Sequence, residues 1–282
     1  MVNDTARRVL VTGAAGRLGS VVADRFHRAG FDVVATDIVE TAATPYPFVQ
    51  ADLLDHNAAL DLLADTQIVL HIGNIPGIGT TPCQVVFNHN VTINQNVFQG
   101  AAERDVEKIV FASTLQLVGS WVDDRTVVNP PPPPAYPMHG ATEPNPANVY
   151  ALSKTVSETM LRYYAERCGI DCVALRFPLL HPHGQLALVA TGEESPVDVV
   201  EGFTSLSYDD AAALFGAVVE RELRGYHCLM AGSSRRHRDL AFPELLAAHY
   251  PQLDGALSDL IDESPVTAAT GWRSSYPDRG AK

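Results

Sequence analysis

Short apolar runs alternate with stretches of helical periodicity through the first half of the chain, and this alternation limits the fold more than any other feature. The run RVLVTG (8–13) is typical of a buried strand, and RLGSVVADRFHRAG (17–30) follows with helical spacing and a terminal glycine. The pattern continues with strands at 32–38, 66–73, 108–114 and 171–177 and helices at 58–65, 90–105 and 145–169. Such alternation predicts an α/β fold with a doubly wound parallel sheet covered by helices on both faces.

The pattern loosens after residue 177, where we predict a helix near 208–224, a strand at 226–232 and a helix near 242–249. Before that, an irregular stretch at 119–146 contains five consecutive prolines, Pro130 to Pro134. Such a run forms stiff polyproline II and excludes a helix. We interpret it as a rigid surface loop or the edge of a lid, and the alternative is a ligand segment for an aromatic groove.

Composition excludes several classes of function. The formal charge of −13 on 282 residues argues against nucleic acid or an anionic membrane surface as the main partner. No segment approaches the roughly 20 apolar residues that span a bilayer, and the N-terminal residues lack a signal-peptide core. Of the four cysteines, Cys168 and Cys172 could form half of a metal site, but we expect them to be structural thiols. We expect a cytoplasmic protein.

The loop TGAAGRLG (12–19) joins the first strand to the first helix with glycines at positions 13, 16 and 19. Gly13, Gly16 and Gly19 would provide a tight turn, close backbone approach to a pyrophosphate and close packing of helix on strand. The anion would lie at the helix N-terminus. An ordinary glycine-containing turn is the alternative.

Asp37 closes the second strand. A carboxylate at this position accepts hydrogen bonds from ribose hydroxyls and repels a 2′-phosphate, so the sequence favours NAD over NADP. A simple turn residue is the alternative. Arg17, inside the glycine loop, could contact the pyrophosphate or weaken the bias against NADP.

Tyr150 and Lys154 lie four residues apart in NVYALSK, which places them on one face of a predicted helix. The chain has three lysines and nine tyrosines, so a chance pair is common enough that this spacing needs support from its context.

Motifs in their expected elements supply that context, because together they resemble the extended short-chain dehydrogenase/reductase superfamily, specifically the NAD-dependent epimerase/dehydratase family. The resemblance covers roughly residues 8–272. It implies a Rossmann-type NAD-binding domain at 1–177 and a small substrate-binding cap at 178–282, partly interleaved with the first. The markers are TGAAGRLG, Asp37, ADLLD (51–55), HIG (71–73), Asn90 opening a helix, FAST (111–114), Gly119, EPNPANVYALSK (143–154), LRF (175–177) and GW (271–272).

The resemblance implies that Tyr150 and Lys154 are the catalytic pair and that Thr114 is the third member, with Ser113 as the alternative. A tyrosine pKa near 10 is too high for a general base, but a lysine ammonium and the positive nicotinamide ring both favour the phenolate. Tyr150 would remove the hydroxyl proton of the substrate while hydride leaves for NAD⁺. Thr114 would hold the substrate oxygen, and Lys154 would also bind the nicotinamide ribose.

The same resemblance implies the cofactor contacts. Arg17 and Leu18 would lie at the pyrophosphate, and Pro178 near the carboxamide. Asn90 resembles the helix-opening asparagine of the family, and an N-cap is the equal alternative. The remaining implied contacts are Asp37 and Ile38 at the adenosine ribose, Asp52 and Leu53 at adenine, and Ile72, Gly73 and Asn74 beneath the cofactor.

Departures from the family pattern reduce the number of activities expected of this chain. Dehydratases carry an acidic pair where this chain has Leu115 and Gln116, so dehydration is not expected. Nucleotide-sugar epimerases use an asparagine at the position of Leu179 and a basic residue near Glu201 and Gly202. A diphosphate would lose both partners, which indicates a small substrate without a nucleotide.

Chain length and the stretch TSLSYDD…MAGSS are similar to the uronate dehydrogenase branch. That branch has Asn-His at Leu115-Gln116 and a substrate arginine without a clear counterpart here, so uronate itself is doubtful. Zinc binding by His181 and His183 is not expected because no third ligand is placed, and we predict no metal. The candidate substrate residues are Ser113, Gln116, His139 and His181.

Three classes of function therefore stay open: a dehydrogenase of small sugar-like substrates, which we favour; an epimerase with tightly bound NAD; and a redox-silent dinucleotide-binding regulator. The family resemblance also implies a homodimer through the helices at 90–105 and 147–167. The apolar residues expected on its surface are Val97, Phe98, Met160 and Tyr164.

Overall fold

The computed structural model describes residues 6–77, 81–119, 133, 135–253 and 257–275. In chain order the first part contains β1 (Arg8–Thr12), α1 (Arg17–Arg28), β2 (Asp32–Asp37), β3 (Phe48–Gln50), α2 (His56–Leu62), β4 (Ile68–His71), α3 (Cys83–Glu103), β5 (Lys108–Thr114), a 3₁₀ turn (Leu115–Val118), α4 (Val149–Cys168) and β6 (Asp171–Phe177). The second part contains β7 (Leu179–His181), α5 (Pro196–Val200), β8 (Thr204–Ser207), α6 (Tyr208–Val219), β9 (Tyr226–Met230), β10 (Ser233–Ser234), α7 (Phe242–His249) and α8 (Ser264–Thr270).

The described strands form a parallel sheet in the order β3-β2-β1-β4-β5-β6-β9. The order reverses between β1 and β4, which pair with Thr12 opposite His71. Neighbouring connections leave the sheet toward opposite faces at such a switch point, so a crevice opens at the carboxyl ends of the strands. This arrangement confirms the predicted doubly wound α/β fold.

Two apolar layers hold helices on the two faces of the sheet. Residues of α1 and α6, such as Phe26 and Phe215, pack on one face, and residues of α3 and α4 pack on the other. The prediction that Val97, Phe98 and Tyr164 form an exposed surface is wrong, because their exposed fractions are 1%, 0% and 4%. They lie on the sheet-facing stripes of α3 and α4, where burial of aromatic and aliphatic area stabilises the layer.

The second part of the chain contributes to two structures. β9 and α6 complete the main sheet and its helical layer, whereas β7, β8 and β10 form a separate three-stranded sheet. A small core beside that sheet contains Val189, Phe203, Leu245, Leu246, Tyr250 and Leu260. The division into domains at residue 177 stays a prediction.

Several boundaries differ from those predicted, and most differences lie at helix starts. α4 begins at Val149 because Asn148 caps it, its Oδ1 accepting the Ala151 N–H at 2.7 Å. α3 begins at Cys83, one residue after Pro82, so Asn90 lies inside the helix and the N-cap alternative is wrong. Of the proline run, Pro133 alone is among the described residues, so its interpretation lies outside them. No described helix is long and apolar enough to cross a bilayer.

Candidate active site

The glycine loop fits tightly against the end of β4. Gly13 has φ +68°, and a Cβ there would lie 2.7 Å from the Gly73 nitrogen. A Cβ on Gly19 would overlap the Gly13 carbonyl oxygen. Gly16 precedes α1 without a side-chain cap among the described residues, so the first N–H groups of the helix stay available to an anion. These close approaches explain the glycines at positions 13 and 19, whereas the approach of Gly16 to a pyrophosphate stays a prediction.

Residues around the loop divide into exposed and buried groups. The side chain of Arg17 is exposed, whereas Leu18 packs into the core at 7% exposure and can offer only its backbone to a cofactor. Asp37 Oδ2 accepts the Ala15 N–H at 3.0 Å, so its carboxylate adjoins the loop, and Ile38 beside it is 59% exposed. These residues line the switch point of the sheet.

The adenine-side candidates differ in the same way. Asp52 is exposed, and its Oδ1 accepts the Leu54 N–H at 2.9 Å. Leu53 is buried at 7% exposure. Their contact with adenine stays a prediction.

The segment after β4 is held by side chains from β1 and α3. The N–H groups of Ile72 and Gly73 both donate to Thr12 Oγ1 at 3.0 Å. Asn90 Oδ1 accepts the Ile75 N–H at 2.8 Å, and its Nδ2 donates to the Ile75 carbonyl at 3.1 Å. Asn90 therefore positions the segment that would lie beneath a cofactor, and its direct contact with one stays a prediction.

Thr114, Tyr150 and Lys154 come together at the carboxyl edge of the sheet. The Thr114 hydroxyl lies near enough to the Tyr150 phenol to lower its pKa. Lys154 Nζ donates to the Ala112 carbonyl at 2.7 Å and lies 5.9 Å from the centre of the Tyr150 ring. Tyr150 is 9% exposed and Lys154 2% exposed. The three side chains thus form one compact group, as the resemblance implies.

Burial controls the protonation of this group. Desolvation raises the pKa of Tyr150 to about 12, the nearby Thr114 hydroxyl opposes this rise, and the Glu201 carboxylate adds to it. Desolvation lowers the pKa of Lys154 to about 7, against the opposing effect of Glu158. A positive charge placed beside the phenol would favour its ionised form, so the site needs a cationic partner before Tyr150 can act as a base.

Ser113 faces away from this group. Its hydroxyl donates to Glu158 Oε1 at 2.6 Å, and Arg176 binds the same carboxylate through Nε and Nη2 at 3.1 and 2.8 Å. Adjacent residues of a strand point to opposite faces, so Thr114 and Ser113 cannot share one role. The geometry favours Thr114. Our sequence reasoning missed Glu158, although its position four residues after Lys154 was a signal.

The candidate substrate residues occupy different places. Gln116 adjoins the catalytic group, its N–H donating to Thr114 Oγ1 at 3.2 Å. His139 accepts the Ala141 N–H through Nδ1 at 3.1 Å. His181 is buried and lines a small cavity together with Ser205, Ser207, Asp210 and Arg235. Their contact with a substrate stays a prediction.

Pro178 follows β6 directly and is buried against Gly232. A Cβ added to Gly232 would lie 2.6 Å from Pro178 Cγ. Leu179, the next residue, is 41% exposed. Pro178 therefore lies just beyond the carboxyl end of β6, and its contact with the carboxamide stays a prediction.

One cluster of potential metal ligands occurs among the described residues, formed by Glu194, His237 and His249 in the second part of the chain. His237 Nδ1 accepts the N–H groups of Asp239 and Leu240 at 3.3 and 3.0 Å, so the proton of the neutral ring lies on Nε2. Nε2 donates to Glu194 Oε1 at 3.1 Å. A metal ligand needs a free lone pair on the nitrogen that faces the ion, so this tautomer favours a hydrogen-bonded cluster.

Comparison with known proteins agrees with this geometry. The model of the NAD dependent epimerase/dehydratase family matches residues 9–185. A uronate dehydrogenase of Pseudomonas putida is 26% identical over 76% of this chain and 72% of its own length. A UDP-glucose 4-epimerase of Mycolicibacterium smegmatis is 25% identical over 94% and 93% of the two chains.

Among solved structures, UDP-glucose 4-epimerase from Brucella ovis in complex with NAD superposes with a TM-score of 0.70. The two chains are 20% identical over 97% of this chain and 95% of the other, which shows a shared fold. The family match includes the glycine loop, Thr114, Tyr150 and Lys154. This chain belongs to the NAD-dependent epimerase/dehydratase family.

Proposed function

We propose that this protein is an NAD-dependent dehydrogenase that oxidises a hydroxyl-bearing carbon of a small sugar-like substrate. The contact between Thr114 and Tyr150, with Lys154 one helical turn away, is the observation that carries the proposal. Bound NAD⁺ would supply the hydride acceptor, and the substrate carbon would become a carbonyl carbon. The remaining chemistry belongs to residues of this chain.

Tyr150 takes the hydroxyl proton of the substrate as its carbon loses the hydride, so one proton and one hydride leave together. Thr114 holds the same oxygen through its hydroxyl. Lys154, held between two carbonyl-type oxygens, supplies positive charge near the phenol. General-base catalysis by a positioned side chain contributes about 10²–10⁴-fold, and that is the share we assign to Tyr150.

The residues proposed to bind NAD lie around the switch point. The free N–H groups at the start of α1 would receive the pyrophosphate, and the Asp37 carboxylate would accept from the adenosine ribose. Because a 2′-phosphate would meet that carboxylate, NAD is favoured over NADP. The further proposed contacts are Arg17, Ile38, Asp52, Leu53, Ile72, Gly73, Asn74, Asn90 and Pro178.

The substrate is proposed to lack a nucleotide. The Leu179 side chain has no hydrogen-bonding group for a diphosphate. The buried Glu201 carboxylate would repel a diphosphate. Leu115 and Gln116 follow Thr114, so no acid–base pair for dehydration is present there. The relative from Pseudomonas putida is named for uronate, a sugar acid that carries no nucleotide, and this supports the proposal.

An epimerase is the second candidate, since the match to UDP-glucose 4-epimerase extends over 94% of this chain. An epimerase keeps its NAD and returns the hydride, whereas a dehydrogenase releases NADH. The test incubates purified protein with NAD⁺ or NADP⁺ and a panel of uronic acids, aldoses and polyols. Release of NADH supports the dehydrogenase. No turnover together with NAD that copurifies would favour the epimerase.

A homodimer through α3 and α4 is also proposed. A groove between these helices is lined by Gln95, Gln99, Thr159, Met160, Tyr163 and Tyr164, and Tyr163 is 56% exposed. An exposed tyrosine beside a partly buried methionine suits a helix-packing interface. Sedimentation that gives only monomer at micromolar concentration would contradict the dimer. The cytoplasm, where thiols stay reduced, is the proposed location.

A further inference from the structure

A chain of buried polar side chains runs from β1 to Lys154. Thr12 Oγ1 lies 2.7 Å from His71 Nδ1, and His71 Nε2 lies 2.7 Å from Asn94 Oδ1. Asn94 Nδ2 donates to Asn74 Oδ1 at 3.3 Å, and Lys154 Nζ donates to that same oxygen at 2.7 Å. Thr12, His71, Asn94 and Lys154 are at most 2% exposed. This chain, named here the polar relay, therefore connects the glycine loop with the catalytic lysine.

The direction of every hydrogen bond in the polar relay follows from its neighbours. Thr12 Oγ1 already accepts two backbone N–H groups, so its own hydrogen points to His71 Nδ1. His71 must then carry its proton on Nε2 and donate it to Asn94 Oδ1. Burial lowers the pKa of His71 to about 3, so the ring stays neutral in this tautomer. The polar relay thus has one orientation.

Asn74 has no hydrogen-bonding capacity left over. Its Nδ2 donates to the Gly73 carbonyl at 2.6 Å and to Asn94 Oδ1 at 2.7 Å, and its Oδ1 accepts from Lys154 and Asn94. An amide offers two donors and two acceptor positions, and all four are in use. The Asn74 side chain therefore serves Lys154, and only the backbone of Asn74 remains for a cofactor.

Asn94 is held on its other side by α4. Its Nδ2 also donates to Ser157 Oγ at 2.6 Å, and that hydroxyl donates to the Ser153 carbonyl. Ser157 lies three residues after Lys154 on the same helix. Asn94 therefore links the helix that carries Lys154 with the amide that receives its ammonium.

We propose that Asn74 and Asn94 are positioning residues that fix the Lys154 ammonium in the geometry needed for catalysis. This proposal rests on the catalytic role of Lys154 proposed above. Asn74 presents an immobilised oxygen to Nζ, and Asn94 prevents the Asn74 amide from rotating. Two hydrogen-bonded carbonyl-type oxygens, from Asn74 and Ala112, then support the ammonium without a direct counter-ion.

The charged and titratable groups near Lys154 are consistent with that role. Glu158 is the nearest carboxylate on α4, but Arg176 and Ser113 already bind it. The Tyr150 ring lies on the same helix, the Phe111 ring of β5 lies 4.4 Å from Nζ, and His71 of β4 is neutral. The neutral amide of Asn74 thus contributes the hydrogen bond while leaving the lysine able to titrate near neutral pH.

The test observes Lys154 directly. The chain contains only Lys108, Lys154 and Lys282, so lysine labelled with ¹³C at Cε gives three resonances, and Lys154→Met identifies one of them. We expect the Lys154 resonance to titrate near pH 7 in the wild type. Asn74→Asp should raise that midpoint by at least one unit, because a carboxylate would face the ammonium. Asn94→Leu should lower it and reduce kcat at least tenfold, with a smaller change in the KM for NAD.

Asn96→Leu is the matched control for the titration. Asn96 lies two residues along α3, and its Nδ2 donates to the Leu53 and Leu54 carbonyls instead of to the polar relay. In Asn96→Leu, the titration midpoint of the Lys154 resonance should equal that of the wild type. If Asn94→Leu does not fold, the Lys154 midpoint in Asn74→Asp tests the proposal alone. This variant should fold because Asn74 is only partly buried.

The outcomes separate this proposal from the proposed function. Unchanged Lys154 midpoints in Asn74→Asp and in folded Asn94→Leu would overturn the positioning role, even if the wild type oxidises sugars. Shifted midpoints in a protein that transfers no hydride to NAD⁺ would uphold the contact and overturn the dehydrogenase.

Discussion

The carboxyl edge of the main sheet and the separate three-stranded sheet are built in different ways. At the edge, Gly13, Gly19 and Gly73 approach one another so closely that larger residues do not fit. The three-stranded sheet has strands of two to four residues and lies beside a small separate core. The family model ends at residue 185, before β8 and β10. The residues proposed to bind the cofactor therefore lie mostly in a strongly constrained region, whereas the three-stranded sheet is weakly constrained.

The largest effect should come from adding a side chain to the glycine loop at the carboxyl edge of the main sheet. Gly19→Ala would push a methyl group into the Gly13 carbonyl, and overpacking of this kind costs about 1–3 kcal/mol. We expect a lower unfolding midpoint in urea and loss of NAD binding. Gly77→Ala is the matched control, because a Cβ there meets no atom of the described residues within 4 Å. Equal stability of the two variants would contradict the close approach.

Replacing Asp37 should change cofactor choice. Asp37→Ser removes the carboxylate that would accept from the ribose, so we expect the KM for NAD⁺ to rise about tenfold and the preference over NADP⁺ to shrink. Steady-state kinetics with both cofactors measure this. A variant that keeps the wild-type preference would show that another group makes the selection, with Arg17 as the first alternative.

The pH dependence of stability should report the buried lysine. The native pKa of Lys154 is about 7 and its ordinary value is 10.5, so the unfolded chain binds the extra proton between these values. The wild type should therefore gain stability relative to Lys154→Met as pH rises from 7 toward 10, by on the order of 1–3 kcal/mol. Urea unfolding at pH 7 and 9.5 measures the difference. A gap that does not change with pH would mean that Lys154 titrates normally.

The smallest effect should come from replacing Glu201. The Glu201 charge raises the pKa of Tyr150, so Glu201→Gln should lower it. We expect the midpoint of the pH–rate profile for oxidation to fall by a few tenths of a unit, with unchanged NAD affinity. A midpoint that stays in place would separate Glu201 from the catalytic tyrosine.

Sequence reasoning predicted the long, strongly patterned parts of this molecule. The strands at 108–114 and 171–177 and the helix at 242–249 have the predicted bounds, because each is a periodic run with clear ends. Strands of two to four residues, such as β3, β7 and β10, were missed since so few residues show no period. The predicted start of α3 was seven residues late, because Asn90 resembled a cap.

The candidate site divides in the same manner. Thr114, Tyr150 and Lys154 were predictable because a motif spaces them along the chain, and the structure brings them together. The polar relay was not, because Thr12, His71, Asn94 and Lys154 come from four elements and meet only in the fold. Val97 and Phe98 were placed on the surface since periodicity alone does not tell which stripe of α3 faces the sheet.

Hydride transfer in wild type and Tyr150→Phe is the most direct test of the central claim. Both proteins would be mixed with NAD⁺ and the best substrate of the panel, and NAD affinity would be measured separately. We predict that Tyr150→Phe binds NAD as tightly as the wild type but forms NADH at least 100-fold more slowly. A variant that forms NADH at the wild-type rate would contradict the assignment of Tyr150 as the base.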